Sequence, residues 1–262
     1  MGAARKRVAA IGNSQGLFQV GGAVGALASQ TNRADVTTSN EGTITRITGQ
    51  SDFVATAAAN NATVTGGGSG QRAIVNQSNE GALTQAGAYA SYGNVYLANT
   101  QATATGNNIT ASEQSPVLDL TTRQQNLAYV RAESAGNGYL FGGATSSAYA
   151  IGNSLVAGDI GREITLDNTQ YNGGAGGGVD AYAEQVGYDG YDASSSAIAM
   201  GNAASGYACS DCQSTMSVNN QQNNAANVNA ESHVSVNSGR SVRDVATAVG
   251  NTASYYVSRP QD

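Results

Sequence analysis

The hexapeptide Ala148-Tyr149-Ala150-Ile151-Gly152-Asn153 decides how this chain of 262 residues is read, because the same string keeps returning. It stands as Ala9-Ala10-Ile11-Gly12-Asn13, as Ala197-Ile198-Ala199-Met200-Gly201-Asn202 and as Ala246-Thr247-Ala248-Val249-Gly250-Asn251, with looser copies at Ala55-Thr56-Ala57-Ala58-Ala59-Asn60 and Ala102-Thr103-Ala104-Thr105-Gly106-Asn107. The closing asparagines, Asn13, Asn60, Asn107, Asn153, Asn202 and Asn251, are spaced by 47, 47, 46, 49 and 49 residues. Self-similarity at a fixed period of this length marks a repeat architecture.

A second signature keeps the same period at a fixed phase. It runs Gln30-Thr31-Asn32, Gln77-Ser78-Asn79, Gln124-Gln125-Asn126, Gln170-Tyr171-Asn172 and Gln222-Asn223-Asn224, each Asn lying 19 residues after the preceding Gly-Asn asparagine in four repeats and 22 in the fifth. The fifth repeat holds an insertion around Cys209 to Cys212. The chain therefore divides as a single repeat domain, 1–262. It has a lead-in at 1–12, repeats at 13–59, 60–106, 107–152, 153–201 and 202–250, and a C-terminal cap or stub at 251–262.

Inside each repeat the period is 2. After the Gln-x-Asn signature, Ala34, Val36 and Thr38, then Ala128, Val130 and Ala132, then Ala226, Val228 and Ala230 alternate with mostly polar neighbours such as Asp35, Arg131 and Asn229. Such alternation is a strand with one buried face. Short strands with an Ala/Val/Thr face cannot close a core within one repeat, whereas stacked repeats bury that face on each other. The expected fold is all-β: a β-solenoid, or β-helix, of five repeats of about 47 residues with Asn/Gln ladders at its corners. Stacked identical amides can hydrogen-bond from rung to rung, at a strand spacing of roughly 4.8 Å. The spacing allows one large coil per repeat or two coils of 19 and 28 residues. Glycine at the corners is expected to supply positive φ, and the many small inward residues predict a narrow interior.

Composition agrees with a structural role. The chain has 34 glycines, 44 alanines by count along the rows, 13 tyrosines and no tryptophan. Its 12 Lys+Arg against 18 Asp+Glu give a net charge of −6. No basic face exists to neutralise phosphates, so nucleic acid is excluded as a partner. No apolar run reaches the ~18 residues of a membrane span, and nothing reads as a secretory apolar segment. Charged residues make up 11% of the chain, so few gatekeepers oppose growth at open strand edges. Self-association into fibres is the expectation, with a capped monomeric rod as its alternative. Arg5, Lys6 and Arg7 at one end, and Arg259-Pro260-Gln261-Asp262 at the other, read either as caps or as flanks of polymerising ends.

Reactive chemistry is sparse. The lone histidine, His233, lies on outward parity and reads as a solvated strand residue. Gly66-Gly67-Gly68-Ser69-Gly70-Gln71-Arg72 lacks the Lys-Ser/Thr of a phosphate-binding loop. Cys209-Ser210-Asp211-Cys212 lacks the further ligands zinc needs, so a local disulfide between Cys209 and Cys212 is expected, and with it an oxidising compartment. Gly173-Gly174-Ala175-Gly176-Gly177-Gly178-Val179-Asp180 matches a calcium-binding nonapeptide only once, so it reads as a loop. Neither catalytic residues, nor metal ligands, nor a cofactor is expected. Tyrosine, the dominant aromatic type, suits surfaces that stack on sugars or on partner proteins.

The C-terminal half supplies a family resemblance. Ala199-Met200-Gly201-Asn202-Ala203-Ala204-Ser205-Gly206-Tyr207-Ala208-Cys209-Ser210-Asp211-Cys212, Gly239-Arg240-Ser241-Val242, Thr247-Ala248-Val249-Gly250-Asn251 and Tyr256-Val257-Ser258-Arg259-Pro260 look like holdfast anchor proteins of the HfaD type from stalked alphaproteobacteria. The Gln/Asn-plus-small-residue repeats are more loosely similar to curlin, the subunit of curli amyloid fibres. The resemblance implies a secreted, non-enzymatic protein associated with the outer membrane and cell surface. It would help fasten an adhesive polysaccharide holdfast, alongside other envelope or holdfast anchor proteins. The alternative is a carbohydrate-binding or polysaccharide-degrading β-helix.

Overall fold

Every strand in the computed structural model runs parallel to its neighbours, and the pairing partner of almost every residue is the one a repeat away. The structure describes residues 2–114, 116–161, 163–209 and 215–258. Short strands of 10 residues alternate with long ones: β1 (Ala4–Val20), β2 (Ala23–Asn32), β3 (Val36–Gly67), β4 (Gly70–Asn79), β5 (Leu83–Glu113), β6 (Val117–Asn126), β7 (Tyr129–Asp159), β8 (Glu163–Asn172), β9 (Gly178–Cys209), β10 (Thr215–Asn224) and β11 (Asn227–Ser258). The long strands form a six-stranded sheet in the order β1-β3-β5-β7-β9-β11, and the short ones a five-stranded sheet in the order β10-β8-β6-β4-β2. The molecule is a β-solenoid.

The register settles the coil size. Asn13 pairs with Asn60, Asn60 with Asn107, Asn107 with Asn153, Asn153 with Asn202, and Asn202 with Asn251. One repeat is therefore one coil rather than two. Within it, the long strand bends near residues 47–50, where the register shifts between Ile47 and Gln50. Its first half then lies across the interior from the start of its second half, and the short strand lies across from the end of that second half.

This oblong coil has two interior lobes. One is lined by Ala55, Ala57, Ala59, Ala102 and Ala104 and their equivalents on the second halves, with Val36, Ala86, Ala88, Val130 and Val179 on the first halves facing them. The other is built from larger side chains, Ile109, Leu118, Leu120, Leu155, Ile164 and Leu166. The narrow interior expected from the small residues thus describes only one lobe. A third cluster, including Phe53, Tyr92, Val95 and Phe141, fills the bend.

The Gly-Asn pairs stand in mid-strand rather than at corners. At Ala59-Asn60, Gly152-Asn153 and Gly201-Asn202 two successive residues are buried, so the inward parity slips by one residue. A slip of this kind is a stacked bulge that turns the asparagine into the interior. Nor does its glycine supply a left-handed backbone, since positive φ occurs at Gly21, Gly22, Gly70 and Gly174. The reason is close approach. A Cβ on Gly152 would lie 2.5 Å from the Gly201 carbonyl oxygen on the next rung and 2.5 Å from Asn172 Oδ1, whereas one on Gly250, in the last rung, would meet nothing closer than 3.5 Å. Gly152→Ala is therefore expected to destabilise the fold by about 1–3 kcal/mol, as overpacking does, and Gly250→Ala to leave it almost unchanged. Denaturation midpoints of the two variants check this difference.

Candidate functional site

Three rows of amides run the length of the rod. In the first, Asn13 Nδ2 donates to Asn60 Oδ1 at 2.7 Å, and the chain of bonds continues from Asn60 to Asn107, Asn153, Asn202 and Asn251 at 2.7–2.8 Å. In the second, Asn32 donates to Asn79, Asn79 to Asn126, Asn126 to Asn172 and Asn172 to Asn224, at 2.7–3.0 Å. The third row points the other way: Gln77 donates to Gln30, Gln124 to Gln77, Gln170 to Gln124 and Gln222 to Gln170, also at 2.7–3.0 Å.

The rows converge on one place in the cross-section. Asn107 also donates to the Gln125 carbonyl at 2.8 Å, and Gln124 to the Ser154 carbonyl at 2.8 Å. The mid-strand asparagines thus tie the broad second half of each long strand to the Gln-x-Asn corner opposite. Asn107, Asn126 and Asn153 are fully buried, and each finds partners for both its donor and its acceptor, as burial of an amide demands. Asn107→Ala would orphan one of the two hydrogens of the Asn60 amide, which keeps the Ser78 carbonyl, together with the Asn153 oxygen and the Gln125 carbonyl. The expected loss is about 2–4 kcal/mol, against well under that for Asn251→Ala at the end of the row. Urea unfolding monitored by circular dichroism checks the contrast.

Two further amide links lie outside both signatures. Thr122 Oγ1 donates to Asn168 Oδ1 at 2.6 Å and Asn168 Nδ2 to Asn220 Oδ1 at 2.7 Å; Asn108 Nδ2 donates to Asn61 Oδ1 at 2.8 Å. The signal for the first was in the sequence: all three residues stand two before a ladder glutamine, on the same parity.

The bend carries several of the exposed aromatics, while Phe18, Tyr207 and Tyr256 are exposed near the far ends of their strands. Tyr139 and Tyr188 stack at 5.2 Å between ring centres with planes 5° apart. Arg240 lies over the Tyr191 ring at 5.7 Å and pairs with Asp192 at 2.8 Å. Tyr96, Tyr139, Tyr188 and Tyr191 are all more than half exposed. A shallow groove of about 520 Å³ runs across successive rungs beside Tyr139 and Tyr188, floored by Gly93 and Gly138.

The outer face of the first halves is acidic. Glu133, Asp180, Glu184 and Glu231 gather around Tyr89, Tyr129 and Tyr182, with Arg131 bonded to Glu133 at 3.0 Å. Tyr129 donates its hydroxyl to Asp180. Burial first, and the neighbouring carboxylates second, push the phenols of Tyr89 and Tyr129 up to about 12. His233 shares a row with Glu184 on this face. Asp180, which closes the glycine-rich stretch 173–180, is thus engaged with Tyr129. Among the described residues no group of three or more His, Cys, Asp or Glu is placed to hold a metal ion. Cys212 lies outside the described residues, and with it the Cys209–Cys212 pair.

Raised phenol pKa values mean that the folded chain holds those protons more tightly than the unfolded one. Their contribution to stability is fully present below pH ~10 and is lost as pH rises from there through about 12. Absorbance titration at 295 nm is expected to show the Tyr89 and Tyr129 phenols ionising late, near pH 12, a late phase that Tyr89→Phe and Tyr129→Phe diminish, with the unfolding midpoint falling across that window.

A family model of holdfast attachment protein D matches residues 1–177, well over half of the chain. The chain belongs to the HfaD family. The match covers residues 1–177 and so lies ahead of the C-terminal strings, from Ala199 onwards, that suggested the same family. Neither a curated protein nor a solved structure matches. Holdfast attachment is a task of the cell surface, and among the described residues no helix is long and apolar enough to cross a membrane.

Proposed function

We propose that this HfaD-family chain is a non-enzymatic structural element of the holdfast attachment machinery. It is secreted, associates with the outer membrane, self-associates along its axis into a fibre, and joins other holdfast anchor proteins. The observation that carries this reading is the set of three amide rows that run unbroken from the first coil to the last. They end on strands β2 and β10 and on the outer edges of β1 and β11, where backbone donors and acceptors face outward, and such edges template the addition of another chain. Side-chain amides stacked in the same direction add to that template.

The purified chain is expected to form filaments one solenoid wide whose mass grows with concentration, seen by sedimentation velocity and electron microscopy. A chain that stays monomeric at every concentration and ionic strength tried removes the fibre from this reading.

The tyrosines of the bend support a second role, contact with polysaccharide. Exposed aromatic faces repeated along a groove suit sugar rings, which stack through their C–H faces. Replacing Tyr139 and Tyr188 with alanine is expected to weaken binding to a polysaccharide ligand at least tenfold on a glycan array, without cleavage of the glycan by either protein and without a change in melting temperature. Equal binding by variant and parent rules the bend out.

A further inference from the structure

The faces of the coil do not carry equal numbers of rungs. Within the described residues there are five short strands and five first halves of long strands, but six second halves, because β1 lies alone against residues 51–67 of β3. β1 is the register counterpart of the second half of β11: Arg5, Asn13 and Phe18 stand in the same rows as Arg243, Asn251 and Tyr256. Two copies stacked with β1 in place join only along β1 and the second half of β11, where Asn251 meets Asn13, leaving half a coil empty beneath β2. With β1 gone, the end of one copy meets the start of the next on all faces.

We infer that a second copy of this chain docks by strand exchange: the second half of β11 displaces β1 from β3 of the incoming copy, while β10 pairs with its β2. This rests on the self-association reading above and supplies its interface. The ladder ends are complementary. Asn251 Nδ2 makes only a 3.4 Å contact with the Gln222 carbonyl, and in the exchanged position it donates to Asn60 Oδ1, which Asn13 occupies in the single copy. Asn224 Nδ2 uses one hydrogen on the Ala226 carbonyl, as Asn126 does on Ala128, and offers the other to Asn32 Oδ1. The glutamine row runs in the opposite sense, so there Gln30 of the incoming copy donates to Gln222 Oε1.

Charge and packing repeat the same substitution. Arg5 pairs with Asp52 at 3.3 Å, and after exchange Arg243 takes the place of Arg5 beside that aspartate. Val24 and Ala26 continue the rows of Met216 and Val218. On the outer face Glu41 falls on His233, the last residue of its row. β1 is thus a built-in cap that holds the edge of β3 until another copy supplies an equivalent strand.

A reversible tether tests this. Ala9 and Thr56 are register partners on the outer surface of β1 and β3, within reach of a disulfide. In the full chain carrying Cys209→Ser and Cys212→Ser, the pair Ala9→Cys and Thr56→Cys is expected to suppress filament growth at least tenfold when oxidised, and to regain the untethered rate on reduction. Arg243→Asp is expected to slow growth several-fold, and adding Asp52→Arg to restore most of it. Equal growth of the oxidised and reduced protein, read by light scattering and electron microscopy, overturns strand exchange while leaving self-association intact. If the untethered chain itself never assembles, the self-association reading falls, and the exchange with it.

Discussion

Rung-on-rung registration of side-chain amides is the constraint on which this molecule depends. A buried amide must find both a donor and an acceptor, and in a stack of identical coils the nearest of each belongs to the same residue one rung away. Once Asn60 bonds Asn107, and Asn79 bonds Asn126, a slip by one residue breaks every row at once. The alternation of inward and outward side chains forbids the same slip independently, because it would turn each alanine outward. Register is therefore specified twice, by the polar rows and by the inward alanines.

The two lobes divide that labour. The alanine lobe brings the first and second halves of each long strand close together, which leaves room only for small side chains and a glycine at the bulge. The leucine and isoleucine lobe under the short strands buries most of the large aliphatic surface. Between them stands the junction where mid-strand asparagines reach the Gln-x-Asn corner. The amide rows thus occupy the seam between two different kinds of packing.

Much of this was legible in the residues, and the rest was hidden for physical reasons. The 47-residue interval gave the coil, since stacking converts sequence period directly into spatial register, but it left one coil or two open because a period says nothing about where a chain bends. The Gly-Asn pair looked like a corner because both residue types favour turns. In the structure the glycine answers to the Gly201 carbonyl 2.5 Å from where its Cβ would be, a contact between repeats that no single repeat displays. The opposed direction of the asparagine and glutamine rows was equally invisible, because it depends on side-chain rotation. The tyrosines could be counted, but the gathering of Tyr96, Tyr139, Tyr188 and Tyr191 at the bend needed the register of three successive coils.

Because the strands lie across the rod, their hydrogen bonds point along it. A pull on the two ends loads all the bonds between one rung and the next together, in parallel, before any single one can yield. A bundle of bonds stretched side by side resists far more force than the same bonds opened one after another. An attachment protein built this way bears tension along its axis and comes apart most readily when peeled from an edge, which makes the direction of load, more than its size, the mechanical variable that matters.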